Sequence, residues 1–145
     1  MSDPDPSKRA IARTAGAHEV LDPTDAESVA KLAGSVRSII DFVGGAATAL
    51  QGIEALSRGG TYVLVGLLGG EITLPLPPIA LRPISIVGSL TGSLEELREL
   101  IALAKSGALT PFDLEIVPRE DVNVAIDRLR SGHLRGRLVL ACAER

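Results

Sequence analysis

Three predicted strands end in glycine, and these strand ends are where the sequence could bind a ligand. The segments are residues 39–45, 62–66 and 86–89, with glycine at positions 44, 45, 66 and 88. In open parallel sheets, ligands bind outside the carboxyl ends of the strands. A glycine there leaves the backbone N–H and C=O groups open to a flat ligand. From the spacing alone, a ligand site and simple tight turns are equally good interpretations.

Other ligand and metal chemistry has little support in the sequence. Neither the G-x-G-x-x-G nor the G-x-x-x-x-G-K-[ST] phosphate-binding motif occurs. His18 and His133 are far apart, and neither has a second histidine four residues away. A single cysteine, Cys142, excludes an intramolecular disulfide and any multi-cysteine zinc or iron–sulfur site. We expect Cys142 to be a small buried residue on a strand.

The composition predicts a folded protein and argues against nucleic acid as a partner. The 145 residues are 46% hydrophobic and 23% charged, so there is ample apolar surface to bury. A net charge of -3 and an aromatic content of 2% provide neither a basic surface nor a platform for stacked bases. No apolar run approaches the roughly 20 residues that a membrane span needs, and the polar, proline-rich N-terminus is unlike a secretory signal. The single cysteine favours a reduced compartment, so we expect a cytoplasmic protein.

The hydrophobic pattern predicts strands that alternate with helices. Strands are expected at residues 19–21, 36–43, 61–65, 72–74, 84–88, 112–117 and 138–142, and helices at residues 8–15, 26–33, 46–57, 77–81, 94–105 and 118–130. This order is typical of right-handed βαβ crossovers and a mainly parallel sheet. The apolar run at 36–43 is typical of a strand buried on both faces. We predict one α/β domain over residues 1–145.

Five segments resemble the cofactor-binding domain of the medium-chain, zinc-type alcohol dehydrogenases. They are residues 8–21, 41–44, 59–66, 86–89 and 129–140, and their order and spacing match the family pattern over nearly the whole chain. The resemblance implies a Rossmann-like fold, with a mainly parallel sheet flanked by helices, that binds NAD(H), with NADP(H) as the alternative. Residues 1–145 would be a partial cofactor domain of an oxidoreductase that transfers a hydride between the cofactor and an alcohol or carbonyl.

The resemblance also implies cofactor contacts, residue by residue. The acidic residue that holds the adenosine ribose hydroxyls is matched by Asp3, and an aspartate there favours NAD because it repels a 2′-phosphate. The other matched positions are Lys8 at the adenosine end, Val43 and Gly44 beside the adenosine and ribose, Val65 and Gly66 at the carboxamide, Ser89, Leu90 and Thr91 near the nicotinamide, and Arg137, with Arg135 as its alternative, near the phosphates.

The chain departs from the family pattern in what it lacks. The N-terminal catalytic domain is absent, and with it the zinc ligands, so we expect no zinc in this chain and no turnover by the chain alone. The first strand, its glycine-rich turn and helix, and most of the second strand are also absent. We interpret the chain as a fragment or a shortened gene product. The alternative is a non-catalytic, self-associating module that has lost cofactor binding.

The missing strands predict self-association into a homodimer or a larger assembly. In the family's strand order, their loss leaves the strand from Val36 to Val43 with an unpaired edge, which favours association. Direct pairing of residues 19–21 with this strand would close the gap instead. The segment from Ile72 to Leu74 offers a second route, because the family pairs this region across a twofold axis.

Overall fold

The computed structural model describes residues 1–109, 113–132 and 134–142, and the chain divides into two compact units, Met1–Ser93 and Leu94–Arg145. The first unit contains a three-stranded sheet. Its elements in chain order are α1 (Pro6–Thr14), α2 (Ala26–Ala30), β1 (Val36–Asp41), α3 (Ala46–Ala55), β2 (Leu56–Leu64), α4 (Leu76–Leu81) and β3 (Ser85–Gly88).

The second unit contains a two-stranded parallel sheet. Its elements are α5 (Leu94–Lys105), β4 (Leu114–Val117), a 3₁₀ turn (Arg119–Asp121), α6 (Val122–Arg130) and β5 (Arg137–Leu140). The guanidinium of Arg128 on α6 donates two hydrogen bonds of 2.7 Å to the Glu115 carboxylate on β4, which joins the helix to the sheet. Parallel sheets with flanking helices confirm the predicted α/β class. Phe112 and His133 lie outside the described residues.

β2 lies between β1 and β3 in the first sheet, and all three strands run in the same direction. Ile39, Tyr62 and Ile86 are neighbours in register across the three strands. α3 forms the crossover that two consecutive parallel strands require. Because the strands are parallel, their carboxyl ends meet at one edge of the sheet.

The core of the first unit lies between α3 and this sheet. Ile53 and Leu56 pack against Tyr62, and all three side chains are buried. Gly52 on α3 allows the close approach, since a Cβ at this position would lie 2.7 Å from the Tyr62 ring. The helix therefore packs on the face of the sheet that carries Tyr62.

α3 ends at Ala55, earlier than the predicted end at residue 57. The Arg82 guanidinium donates hydrogen bonds of 2.9 to 3.0 Å to three carbonyl oxygens near this end, those of Ile53, Glu54 and Leu56. A helix end leaves its last carbonyls without helical partners, so Arg82 satisfies groups that would otherwise need water. β2 begins immediately after the helix, and the glycines at 59 and 60 lie within it instead of stopping α3.

Two short predicted strands were wrong. Residues 19–21 contribute a single parallel bridge, between Leu21 and Ser2, because only the first few residues of the chain lie beside them. They do not pair with β1, whose strand partner among the described residues is β2. Residues 72–74 form no strand within the described chain. The prolines at 75, 77 and 78 remove backbone donors just beyond this segment.

The prediction that residues 36–43 are buried on both faces was also wrong. α3 packs on the face that carries Ile39. The opposite face carries Ile40, Val63 and Val87 at neighbouring register positions. Ile40 is 59% exposed, and Phe42, just beyond β1, is 75% exposed. The apolar run is therefore covered by α3 on one side and remains exposed on the other.

Cys142 is exposed and lies beyond the end of β5, so the prediction of a buried strand position was wrong. β5 ends at Leu140, two residues earlier than predicted. Of the helices in the described parts of the chain, none has both the length and the apolar character to cross a membrane.

Candidate functional site

The carboxyl ends of β1, β2 and β3 form the candidate site, and hydrogen bonds join them. The N–H groups of Val65 and Gly66, just after β2, both donate to the carbonyl oxygen of Asp41 at 2.9 Å. The N–H of Ser89, just after β3, donates to the carbonyl oxygen of Leu64 at 2.9 Å. The structure therefore brings the strand-end residues selected from the sequence to one edge of the sheet.

The turns after β1 and β2 touch each other through their glycines. Gly44 has a φ of +68°, and a Cβ on it would lie 1.9 Å from the carbonyl oxygen of Gly66. A Cβ on Gly66 would lie 2.1 Å from the carbonyl carbon of Val43. The N–H of Gly69 also donates to the carbonyl oxygen of Gly44 at 3.0 Å. Both positions therefore require glycine, because the backbones of the two turns are in direct contact.

Asp41 lies beneath these turns, and sequence reasoning assigned it no role. Its side chain is only 6% exposed. One carboxylate oxygen, Oδ1, accepts from the N–H groups of Val43 at 2.7 Å and Gly44 at 3.0 Å. The other, Oδ2, accepts from the Thr48 hydroxyl at 2.7 Å and from the Tyr62 hydroxyl. An acidic residue between an apolar strand and a Gly-Gly turn is the signal that could have identified it.

The charge of Asp41 follows from these contacts. Burial by itself raises the pKa of the carboxyl, but hydrogen bonds from Tyr62, Gly44, Thr48 and Val43 outweigh it and hold the pKa below its ordinary value. Burial and the adjacent carboxylate raise the pKa of Tyr62 well above its ordinary value. Near neutral pH the carboxylate is therefore ionised and accepts a hydrogen bond from a neutral phenol.

The segment after β3 contains the other predicted nicotinamide-side residues. Leu90 is 78% exposed. Thr91 has a φ of +52°, the one positive φ at a non-glycine position among the described residues. Such a backbone costs energy and occurs often at ligand sites. Apart from the Ser89 bond to β2, the predicted roles of these residues stay predictions.

Asp3 and Lys8 lie in the N-terminal segment, away from the glycine turns in sequence. The N–H of Asp3 donates to the carbonyl oxygen of Leu21 at 3.2 Å, and its Oδ1 accepts from the N–H of Asp5 at 2.8 Å. Arg9 donates to the carbonyl oxygen of Asp3 at 2.6 Å. Lys8 lies on α1 and is half-buried. These contacts of Asp3 stay within residues 1–21, and its ribose contact stays a prediction.

Arg137 and its alternative Arg135 belong to the second unit. The N–H of Arg137 donates to the carbonyl oxygen of Asp113 at 2.9 Å, which places Arg137 at the start of β5. Both arginines are exposed. Their predicted phosphate contacts stay predictions.

The described residues do not fit a zinc site. Within residues 1–109, 113–132 and 134–142, no three His, Cys, Asp or Glu side chains are grouped so that they could hold a metal ion. The N–H groups of Val43, Gly44, Val65, Gly66 and Ser89 at the strand ends donate within the chain. A ligand at this edge would therefore meet carbonyl oxygens and the surface of the turns. Such an edge can bind and orient a flat ligand.

Replacing Gly44 by alanine should destabilise the chain more than the same change at Gly34. Both glycines have nearly the same φ, +68° and +69°, but a Cβ at Gly34 meets nothing within 4 Å. We expect Gly34→Ala to cost about 1 kcal/mol from its left-handed backbone. Gly44→Ala should cost at least about 2 kcal/mol more, because the turns must separate. Urea denaturation measures both, and equal losses would contradict backbone contact between the turns.

The stability of the chain in acid should depend on Asp41. Since its pKa is lowered in the folded state, the carboxylate stabilises the fold above its unfolded pKa of about 4. That contribution is lost as the pH falls through the lower folded value. Asp41→Asn should therefore be less stable at neutral pH and lose less stability on acidification. Urea denaturation from about pH 6 to 3 measures this, and parallel pH profiles for the two proteins would contradict it.

Comparison with known proteins identifies relatives over most of the chain. Residues 1–106 match the family model described as zinc-binding dehydrogenase. The chain is 36% identical over 137 residues to an NAD-dependent alcohol dehydrogenase of Sulfolobus acidocaldarius, covering 90% of this chain and 39% of that protein. It is 30% identical over 136 residues to an alcohol dehydrogenase of Geobacillus stearothermophilus, covering 92% and 40%. The chain thus spans about 40% of the length of these relatives.

Solved structures of similar proteins share the fold. The alcohol dehydrogenase of the archaeon Aeropyrum pernix matches with a TM-score of 0.88 at 31% identity, covering 97% of this chain and 42% of that one. The acetophenone reductase of Geotrichum candidum, solved in complex with NAD, matches with a TM-score of 0.83 at 28% identity, covering 97% and 40%. The resemblance inferred from the sequence is therefore confirmed, and the chain belongs to the zinc-binding dehydrogenase family.

Proposed function

We propose that the chain is the cofactor-binding part of an alcohol dehydrogenase-like oxidoreductase and binds NAD(H). The relatives support this class of function, since they are alcohol dehydrogenases, one described as NAD-dependent and one related reductase solved with NAD. The complete enzyme would transfer a hydride between the cofactor and an alcohol or carbonyl. The chain by itself would bind the cofactor without turning over a substrate, and it would do so in the cytoplasm.

One observation carries this proposal: the backbone contact between Gly44 and Gly66 at the carboxyl edge of a parallel sheet. A Cβ on Gly44 would lie 1.9 Å from the Gly66 carbonyl oxygen, so the two turns pack directly on each other at this edge. Ligands of open α/β sheets bind at this edge. A nucleotide has flat rings and many polar groups, and it would lie against both turns at this edge.

The site residues predicted from the sequence would each contact a different part of the cofactor. Val43 and Gly44 would border the adenosine and its ribose, and Val65 and Gly66 would present backbone groups to the carboxamide. The Ser89 segment would lie near the nicotinamide, which supplies or accepts the hydride when the cofactor is bound. Asp3 would select NAD over NADP by repelling a 2′-phosphate.

Binding of NADH by the purified chain tests the proposal. Calorimetric titration should give saturable, micromolar binding, with weaker binding of NADPH. In an ¹⁵N-labelled chain, NADH should shift the amide signals of Gly44, Gly66 and Ser89. Val29 on α2 provides a control signal that should not shift. No binding up to millimolar NADH, or shifts confined to α2, would contradict the proposal.

The second candidate function is a self-associating module without cofactor binding. It is favoured by β1, which pairs with β2 on one side and has no strand on its other side among the described residues. Ile40 and Phe42 expose 59% and 75% of their surface next to this edge. A second copy could add its β1 across a twofold axis and thereby cover both edges.

A charge at Phe42 should weaken this association. Phe42 and Leu81 are each 75% exposed, so Phe42→Lys and Leu81→Lys add the same charge at equally accessible positions. We expect Phe42→Lys to lower the average mass measured by light scattering, because it charges the β1 edge, and Leu81→Lys to leave the mass unchanged. A monomeric wild-type chain at all concentrations, or equal effects of the two changes, would contradict the second candidate.

A further inference from the structure

We infer that Asp41 is a positioning residue for the proposed cofactor site. It holds the turn after β1 and the turn after β2 in place relative to each other. This inference rests on the proposed function. Asp41 is not itself one of the predicted cofactor contacts, and it would act through the turns after β1 and β2 that contain four of them. The evidence is the set of hydrogen bonds that Asp41 accepts and the steric contact between Gly44 and Gly66.

The side chain of Asp41 fixes the first turn. A carboxylate only accepts hydrogen bonds, and here each oxygen takes two donors. Oδ1 takes the N–H groups of Val43 at 2.7 Å and Gly44 at 3.0 Å. Oδ2 takes the hydroxyls of Thr48, at 2.7 Å, and Tyr62. Since Thr48 belongs to α3 and Tyr62 to β2, the carboxylate anchors the turn to the two rigid elements on either side of it.

The main chain of Asp41 fixes the second turn. Its carbonyl oxygen accepts from the N–H groups of Val65 and Gly66, both at 2.9 Å. Gly44 and Gly66 leave no space for a side chain between the turns. A displacement of Asp41 would therefore move both turns, and with them the backbone groups that the proposed function assigns to the cofactor.

Two substitutions separate this role from general stability. Asp41→Ala removes all four side-chain hydrogen bonds and leaves buried donors without a partner. Asp41→Asn can turn its amide NH₂ toward the two hydroxyls, which can rotate to accept, and keep its oxygen on the Val43 and Gly44 N–H groups. Ile53→Ala is the control, because Ile53 is buried in the core against Tyr62 and makes none of these hydrogen bonds.

The first measurement is the affinity of the full chain for NADH, together with the melting temperature of each variant. We expect Asp41→Ala to weaken binding by about tenfold or more, since it loses hydrogen bonds to a charged acceptor. Asp41→Asn should recover most of the affinity, and Ile53→Ala should lose stability without a matching loss of affinity. Affinities that follow the melting temperature through all three variants would overturn the inference.

The second measurement is amide hydrogen exchange at Val43 and Gly44 without any cofactor. Exchange there should be selectively faster in Asp41→Ala than in Ile53→Ala, relative to the exchange of core amides in β2. Equal exchange in the two variants would overturn the inference. If wild-type chain fails to bind NADH, the proposed function fails, and this measurement alone decides whether Asp41 holds the turns.

Discussion

The arrangement of the carboxyl edge of the first sheet depends on the carboxylate of Asp41. A buried charge is costly unless hydrogen bonds replace the water that it loses. Here two backbone N–H groups and two hydroxyls do so, and the same residue's carbonyl takes two further N–H groups. Charge-assisted hydrogen bonds are the stronger kind. One residue therefore sets the relative position of two turns and connects them to α3 and β2.

The parallel sheet explains why this residue lies where a ligand would bind. Because parallel strands run in the same direction, their carboxyl ends all lie at one edge of the sheet. The turns that leave β1 and β2 meet there, and Gly44 and Gly66 bring their backbones into contact. The hydrogen bonds of Asp41 directly below this contact satisfy the backbone donors of both turns.

The exposed apolar surface of the first unit follows from the same architecture. Strands of a parallel sheet are normally covered on both faces. α3 covers one face, whereas Ile40 on the other face is 59% exposed, and β1 has no second strand neighbour among the described residues. The chain spans about 40% of the length of its relatives. The two proposed functions therefore involve separate parts of the same sheet: the turns after β1 and β2 for the cofactor, and the unpaired side of β1 for self-association.

The sequence by itself determined the fold class and most elements, because hydrophobic period, helix caps and glycine spacing are local signals. The family followed from the resemblance of five segments in matching order. The helix expected at residues 8–15 is α1, which Asp5 caps and Pro6 opens. Only the tertiary structure decided what depends on neighbours. Residues 19–21 lack a strand partner long enough to make them a strand. Helix α3 ends where Arg82 donates to its carbonyl oxygens. Asp41 joins the turns to α3 and β2 by accepting from hydroxyls seven and 21 residues away in sequence. A local pattern can single out Asp41, but its partners on α3 and β2 are set by how these elements pack in the folded chain.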